Sequence, residues 1–186
     1  GGKDPAYVRS DCNFEHTVEN LVDGSYFNSG QSCCGIERIY VDESIFDNFV
    51  EAFKTQTEKY NLDNPLDEST NLGPVVKLSA ANNIRNQVLK AINEGAKNII
   101  DGSKFKKDNL ENCYVSPSAL INVSHDMEFM MEETFGPTVG IMKVKNEKDA
   151  EVLMNDSAYG LTASVWTSDK EFAANFGNKI QTGTFF

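Results

Sequence analysis

The chain has 186 residues, of which 40% are hydrophobic and 10% aromatic. That is enough to bury a core, removing roughly 70% of the unfolded chain's surface from water, and it excludes disorder or low complexity as the main description. Lys and Arg number 17 against 28 Asp and Glu, a net charge of −11 without a local basic patch, so a nucleic-acid partner is not expected.

Pro5 to Val8 reads as a short strand, followed by a helix carried by Phe14, Val18, Leu21, Val22 and Tyr26 at helical spacing. That helix should run out near Phe27 to Gly30. Arg38 to Val41 reads as a strand, and Asp42 is placed to cap a helix with the face Ile45, Phe46, Phe49, Val50 and Phe53. Asn61 to Pro74 is rich in turn residues. Ser79 is the expected cap of a third helix carried by Ala81, Ile84, Val88, Ala91 and Ile92, and Gly95 its C-terminal stop. Asn98 to Ile100 is a strand, Ser103 to Asn112 a polar loop, and Tyr114 to Val123 a strand interrupted by Pro117. Val139 to Val144 and Leu161 to Thr167 are further strands, with helices at Glu147 to Met154 and Asp169 to Phe176, the latter closed by Gly177. Strands alternating with helices predict an α/β fold, a largely parallel sheet with helices on both faces. There is no internal repeat and no flexible linker, so residues 1–186 read as one domain.

Four cysteines, Cys12, Cys33, Cys34 and Cys113, are too few for a disulfide-stapled fold. No CxxC pair exists and the only histidines are His16 and His125, so no metal site is expected. Reduced thiols point to a cytoplasmic setting. No apolar run approaches the roughly 20 residues of a membrane span, and no signal or lipidation pattern opens the chain. Gly1-Gly2-Lys3 without an initiator Met, and the strand-like close Gly183-Thr184-Phe185-Phe186, read as cuts through a longer protein.

The stretch Phe27-Asn28-Ser29-Gly30-Gln31-Ser32-Cys33-Cys34-Gly35 joins a predicted helix to a predicted strand, where sites commonly sit. A thiol among small and polar residues can act as a nucleophile; by composition alone, both cysteines could equally be core-packing thiols. Gly30 and Gly35 have the spacing of a phosphate loop, but Ile36-Glu37 follows where Lys and Ser or Thr belong, and no G-x-G-x-x-G fingerprint occurs. His16, on the polar side of its helix, and His125, after a strand, read as surface or capping residues rather than partners of the thiol.

Phe27-x-x-Gly30-Gln31-x-Cys33, with Arg38 five residues beyond the thiol, resembles the cysteine motif of the NAD(P)-dependent aldehyde dehydrogenases. Gly1-Gly2-Lys3 resembles the second half of that family's E-L-G-G-K motif, Glu132-Glu133-Thr134-Phe135-Gly136-Pro137 its E-E-x-F-G-P motif, and Asn155-x-x-x-Tyr159-Gly160-Leu161-Thr162-Ala163 a further block. The matches run in order from the first residue to the last.

The resemblance implies the thiol-bearing catalytic domain of an enzyme that oxidises an aldehyde to a carboxylic acid with NAD or NADP. It makes Cys33 the nucleophile that forms a thiohemiacetal and then a thioester, with Cys34 a bystander. It makes Glu133 the group that accepts from the nicotinamide ribose and Phe135 the aromatic at the nicotinamide end; Arg38 is expected to be structural. The motif's general-base glutamate, two residues before Gly1, the nucleotide-binding domain, the oxyanion asparagine and the segment after Phe186 are not in this sequence. The chain alone is therefore expected to lack turnover, and the main cofactor site to lie outside it. The parent is expected to take a small-molecule aldehyde and to form a homo-oligomer. Two other readings are an acyl-transferring member that passes the thioester to coenzyme A, and a non-catalytic packing or assembly module.

Overall fold

The strands carry apolar side chains on both sides, which dictates a sheet covered on both faces. In β1 (Asp4–Val8) Ala6 and Val8 pack to one side and Tyr7 to the other; in β2 (Ile36–Asp42) Ile39 and Val41 join the first side and Tyr40 the second. The computed structural model describes all 186 residues. With β3 (Lys97–Asn98), β4 (Ser118–Ile121), β5 (Thr138–Val144), β6 (Thr162–Trp166) and β7 (Thr184–Phe185), these strands form one sheet in the order β3-β4-β5-β2-β1-β6-β7. Every pairing is parallel except β3 with β4.

Two helices cover the first face. From α1 (Phe14–Tyr26) come Val18, Leu21, Val22 and Tyr26, and from α2 (Phe46–Thr57) come Phe46, Phe49 and Phe53. Next in the chain is α3 (Leu78–Asn93), with Ala81 and Ile84 in a small satellite core beside Val75 and Val115. Its Ala91 joins the second face, which is otherwise covered by α4 (Glu128–Met131), α5 (Glu147–Asn155) and α6 (Lys170–Gly177) through Phe129, Met130, Ala150, Met154 and Phe176. The α/β architecture expected from the sequence is the one observed.

Local expectations fail at some boundaries. Asp42 does not cap α2: it ends β2, and its Oδ1 accepts from the Ser44 N–H and hydroxyl, closing a turn before the helix begins at Phe46. Ser79 lies inside the first turn of α3, whose cap position is Lys77 and has no side-chain cap bond. The strand expected over Tyr114 to Val123 is reduced to Ser118–Ile121, because Pro117 lacks a donor for the ladder. Gly183 to Phe186 does reach the sheet, but as an edge strand with Phe186 73% exposed rather than a buried one. Gly95, at φ +112°, follows the last turn of α3 as expected.

Candidate active site

The parallel register decides where the motifs meet. Asp4 pairs with Ile36, Arg38 with Gly140, and Ser118 with Thr138, so β1, β2, β4 and β5 start together at one end of the sheet. The residues just before those strands, Gly1 to Lys3, Cys33 to Gly35 and Glu133 to Pro137, are therefore neighbours. This is the amino end of the strands, whereas open parallel sheets usually bind ligands at the carboxyl end.

The loop carrying the thiol is built on left-handed backbone. Asn28, Ser29 and Gly30 have φ of 51°, 56° and 70°. Asn28 Nδ2 donates to the Gln31 carbonyl and Gln31 Nε2 donates to the Asn28 carbonyl, clamping the turn from both sides. Ser29 Oγ donates to the Gly73 carbonyl and Gln31 Oε1 accepts from the Val76 N–H, which fastens the loop to the segment after α2. Gly30 is required twice over. Its φ is positive, and a Cβ there would lie 1.9 Å from the carbonyl oxygen of Gly136. The loops of the first and third motifs thus touch backbone to backbone.

Cys33 and Cys34 are both exposed, so neither packs into the core. The Cys34 thiol lies 3.4 Å from the Ser32 hydroxyl. The Cys33 N–H donates to no acceptor in the chain. Gly2 passes so close to the thiol loop that a Cβ on it would sit 2.2 Å from the Cys33 carbonyl oxygen. Gly2 N–H in turn donates to Glu133 Oε1 at 2.8 Å, which leaves Glu133 Oε2 without a protein donor. Phe135 is 41% exposed and held at φ +54°, an uncommon conformation for an aromatic residue. The expected site residues Cys33, Glu133 and Phe135 are thus gathered at one end of the sheet around the two opening glycines. Glu133 keeps one free carboxylate oxygen, able to accept from a hydroxyl, and a Cβ on Gly1 would lie 2.7 Å from it.

Three residues near the site were given no role from sequence. Lys3 is 1% exposed, and its Nζ donates to Glu37 Oε2 at 2.6 Å and to Thr134 Oγ1 at 3.4 Å. Burial pushes the Lys3 pKa down against the pull of Glu37. Glu37 also accepts from the Thr134 and Phe135 N–H groups. Tyr159 OH donates to Glu132 Oε2 and accepts from the Glu133 N–H. The adjacent charges Glu37-Arg38 at the start of a strand that is then apolar up to Asp42 were the available signal for Glu37.

Arg38 is structural, as expected. It is buried, and its Nε donates to the Lys3 carbonyl at 2.7 Å, while its two Nη atoms donate to the Leu153 and Met154 carbonyls at the end of α5. His16 is exposed and pairs with Asn20 in its own helix. His125 is not the surface or capping residue expected. Its Nδ1 lies 2.7 Å from Asp156 Oδ2 and its Nε2 lies 2.8 Å from the OH of the buried Tyr40, so the half-buried ring sits at the edge of the second core. Burial lowers the His125 pKa from 6.5, with Asp156 opposing. The neutral ring is then assigned Nδ1–H toward the carboxylate, with Nε2 accepting from the tyrosine, whose own pKa burial pushes up to about 12.

A groove of 680 Å³ between α1 and α2, floored by Phe14, Val18 and Ala52, contains none of the motif residues. All four cysteines are free, no cluster of metal-ligating side chains occurs, and no helix is long and apolar enough to cross a membrane.

Known proteins resemble this chain over its full length. The family model described as the aldehyde dehydrogenase family matches residues 1–186. The chain is 33% identical over 183 residues to 3-sulfolactaldehyde dehydrogenase of Priestia aryabhattai, covering 98% of this chain and 37% of that protein. It is 34% identical over 189 residues to the NAD(P)+ aldehyde dehydrogenase 2 of Saccharomyces cerevisiae, covering 99% and 37%. Among solved structures, betaine aldehyde dehydrogenase of Staphylococcus aureus in complex with NAD+ superposes with a TM-score of 0.94 at 34% identity, over 100% of this chain and 37% of that one. An NADP complex of glyceraldehyde-3-phosphate dehydrogenase from Methanocaldococcus jannaschii gives 0.92 at 32%, over 100% and 39%. The chain spans a little over a third of the length of these relatives. Sequence match over every residue, the shared fold and the ordered motifs together establish that this chain belongs to the aldehyde dehydrogenase family.

Proposed function

We propose that this chain is the thiol-bearing catalytic part of an NAD(P)-dependent aldehyde dehydrogenase, with Cys33 as nucleophile and Glu133 and Phe135 at the nicotinamide-ribose end of the cofactor. The observation that carries this reading is the convergence of an exposed Cys33, a Glu133 with one free carboxylate oxygen and an exposed Phe135 at one end of the sheet.

Cys33 gives its proton to solvent water and its thiolate attacks the aldehyde carbon, forming a C–S bond as the C=O π bond breaks and its electron pair moves onto the oxygen. The unpaired Cys33 N–H is placed to donate to that oxyanion. The nicotinamide cofactor, when bound, supplies the hydride acceptor. What remains on Cys33 is a thioester, and water then displaces the thiolate to give the carboxylic acid. Glu133 Oε2 accepts from a ribose hydroxyl, and Phe135, strained into the left-handed region, offers an aromatic edge to the nicotinamide end. No side chain of this chain hydrogen-bonds to the Cys33 thiol. The base for the water and the main cofactor site are read as lying outside residues 1–186, which span 37% of the relatives' length. The setting is read as cytoplasmic and the whole protein as a homo-oligomer.

The relatives named above are named for sulfolactaldehyde, betaine aldehyde and glyceraldehyde 3-phosphate at similar identities of 32 to 34%, so the likeness selects no one aldehyde for this chain.

The test is competitive alkylation of the 186-residue chain with iodoacetamide, mapped by fragmentation mass spectrometry. Cys33 is expected to label ahead of Cys12, whose thiol burial pushes up in pKa, and ahead of the half-buried Cys113. Labelling of Cys33 no faster than either would contradict the assignment. The same chain mixed with an aldehyde and NAD is expected to give no sustained reduced cofactor. Turnover that disappears in Cys33→Ala would show that the chain is catalytically complete.

A further inference from the structure

Glu37 lies outside every motif described above, yet it joins them. The pairing of β1 with β2 runs Asp4 to Ile36 and then Pro5 to Arg38, so Glu37 is the extra residue of a β-bulge. The bulge reverses the alternation of β2. Ile36 packs against the same core as Ile39 and Val41 despite its odd offset from both. A bulge re-aims the side chain it carries, and here the carboxylate turns into a space where it is only 4% exposed. Its Oε2 accepts from Lys3 Nζ at 2.6 Å and from the Thr134 N–H at 2.9 Å, and its Oε1 accepts from the Phe135 N–H at 3.0 Å. Two successive peptide N–H groups converge on one anion, the second from a residue at φ +54°.

The connections form a closed ring. Glu37 holds Lys3 and the 134–135 peptides, Gly2 beside Lys3 donates to Glu133, and Glu133 precedes Thr134. We propose that Glu37 is a positioning residue for cofactor binding: its buried carboxylate, turned inward by the β-bulge, fixes the Thr134–Phe135 backbone and so sets Glu133 and Phe135 at the ribose site. The inference rests on the reading of Glu133 and Phe135 given under the proposed function. Lys3 places its Nζ 2.6 Å from the carboxylate as a buried partner; the specific geometric work is accepting from the two N–H groups.

That division of labour makes the test selective. Glu37→Gln alone leaves the Lys3 ammonium buried without a counter-ion and endangers the fold. Two double variants avoid this. Lys3→Met with Glu37→Gln removes both charges but keeps an amide oxygen for the Thr134 and Phe135 N–H groups. Lys3→Met with Glu37→Leu removes both charges and the acceptor, at similar volume. Both are made in the dehydrogenase that carries this chain, and steady-state kinetics are measured with NAD and NADP, beside Cys33→Ala and thermal melting of each protein. The inference expects KM for the cofactor to be roughly tenfold or more higher in the Leu pair than in the Gln pair, with kcat much less affected. It also expects amide exchange at Thr134 and Phe135 to be faster in the Leu pair at matched melting temperature. Equal KM in the two pairs, with Cys33→Ala inactive, would overturn the role of Glu37 while leaving the function intact. An active Cys33→Ala would instead overturn the function. If the Leu pair does not fold, Glu37→Asp with Lys3 intact takes its place: a carboxylate one methylene short is expected to raise KM for the cofactor, and an unchanged KM would overturn the proposal.

Discussion

Gly30 shows how a single position can be dictated by its neighbours. Replacing it with Ala adds a Cβ to a backbone at φ +70° and drives that carbon to 1.9 Å from the Gly136 carbonyl oxygen. Both effects act on the folded state, so Gly30→Ala is expected to destabilise the chain by more than about 1 kcal/mol, read from the urea midpoint at unchanged m-value. Unaltered stability would mean that the two loops do not meet as described. Cys33, Glu133 and Phe135 were picked out in sequence as candidates because each sits in a short motif of fixed spacing. Glu37 was not, because its importance comes from a bulge in the pairing of two strands, and register skips leave no local pattern. His125 was misread for the same reason: its partners Tyr40 and Asp156 are 85 and 31 residues away.

At the scale of elements, sequence periodicity gave α1, α2, α3, α5 and α6 and the strands they alternate with, since each buries a face that repeats. The faces of α1 and α2 are the clearest case: Phe49 and Phe53 are fully buried, each contributing about 1.5–3 kcal/mol of transfer free energy. The four-residue α4 and the three-residue turn at Gly102–Lys104 escaped, being too short for a period to show. One joint between elements responds to pH. His125 ties the turn before α4 to β2 through Tyr40 and to the end of α5 through Asp156. Its folded pKa lies below the unfolded 6.5, so on acidification the unfolded chain takes up the proton first. The stability contributed by neutral His125 is complete above pH 6.5 and lost as pH falls from 6.5 through the folded value. His125→Gln is expected to flatten that part of the curve of unfolding free energy against pH. An identical slope in the two proteins would contradict the assigned neutral ring.

For the whole molecule, the parallel register matters most. It brings three motifs, more than 130 residues apart at their extremes, to the amino end of one sheet and leaves the thiol exposed there. Net charge and composition argue against a nucleic-acid partner but do not place a site; the motif order offered candidate residues, and the register shows how they come to one end of the sheet. The central claim is that Cys33, and not its neighbour Cys34, forms the bond to substrate. The measurement that tests it most directly is aldehyde-dependent formation of reduced cofactor by the full-length dehydrogenase proposed to contain this chain, compared between Cys33→Ala and Cys34→Ala. The account expects turnover to vanish in Cys33→Ala and to persist in Cys34→Ala. Turnover that survives the loss of Cys33, or that is abolished only by the loss of Cys34, would contradict it.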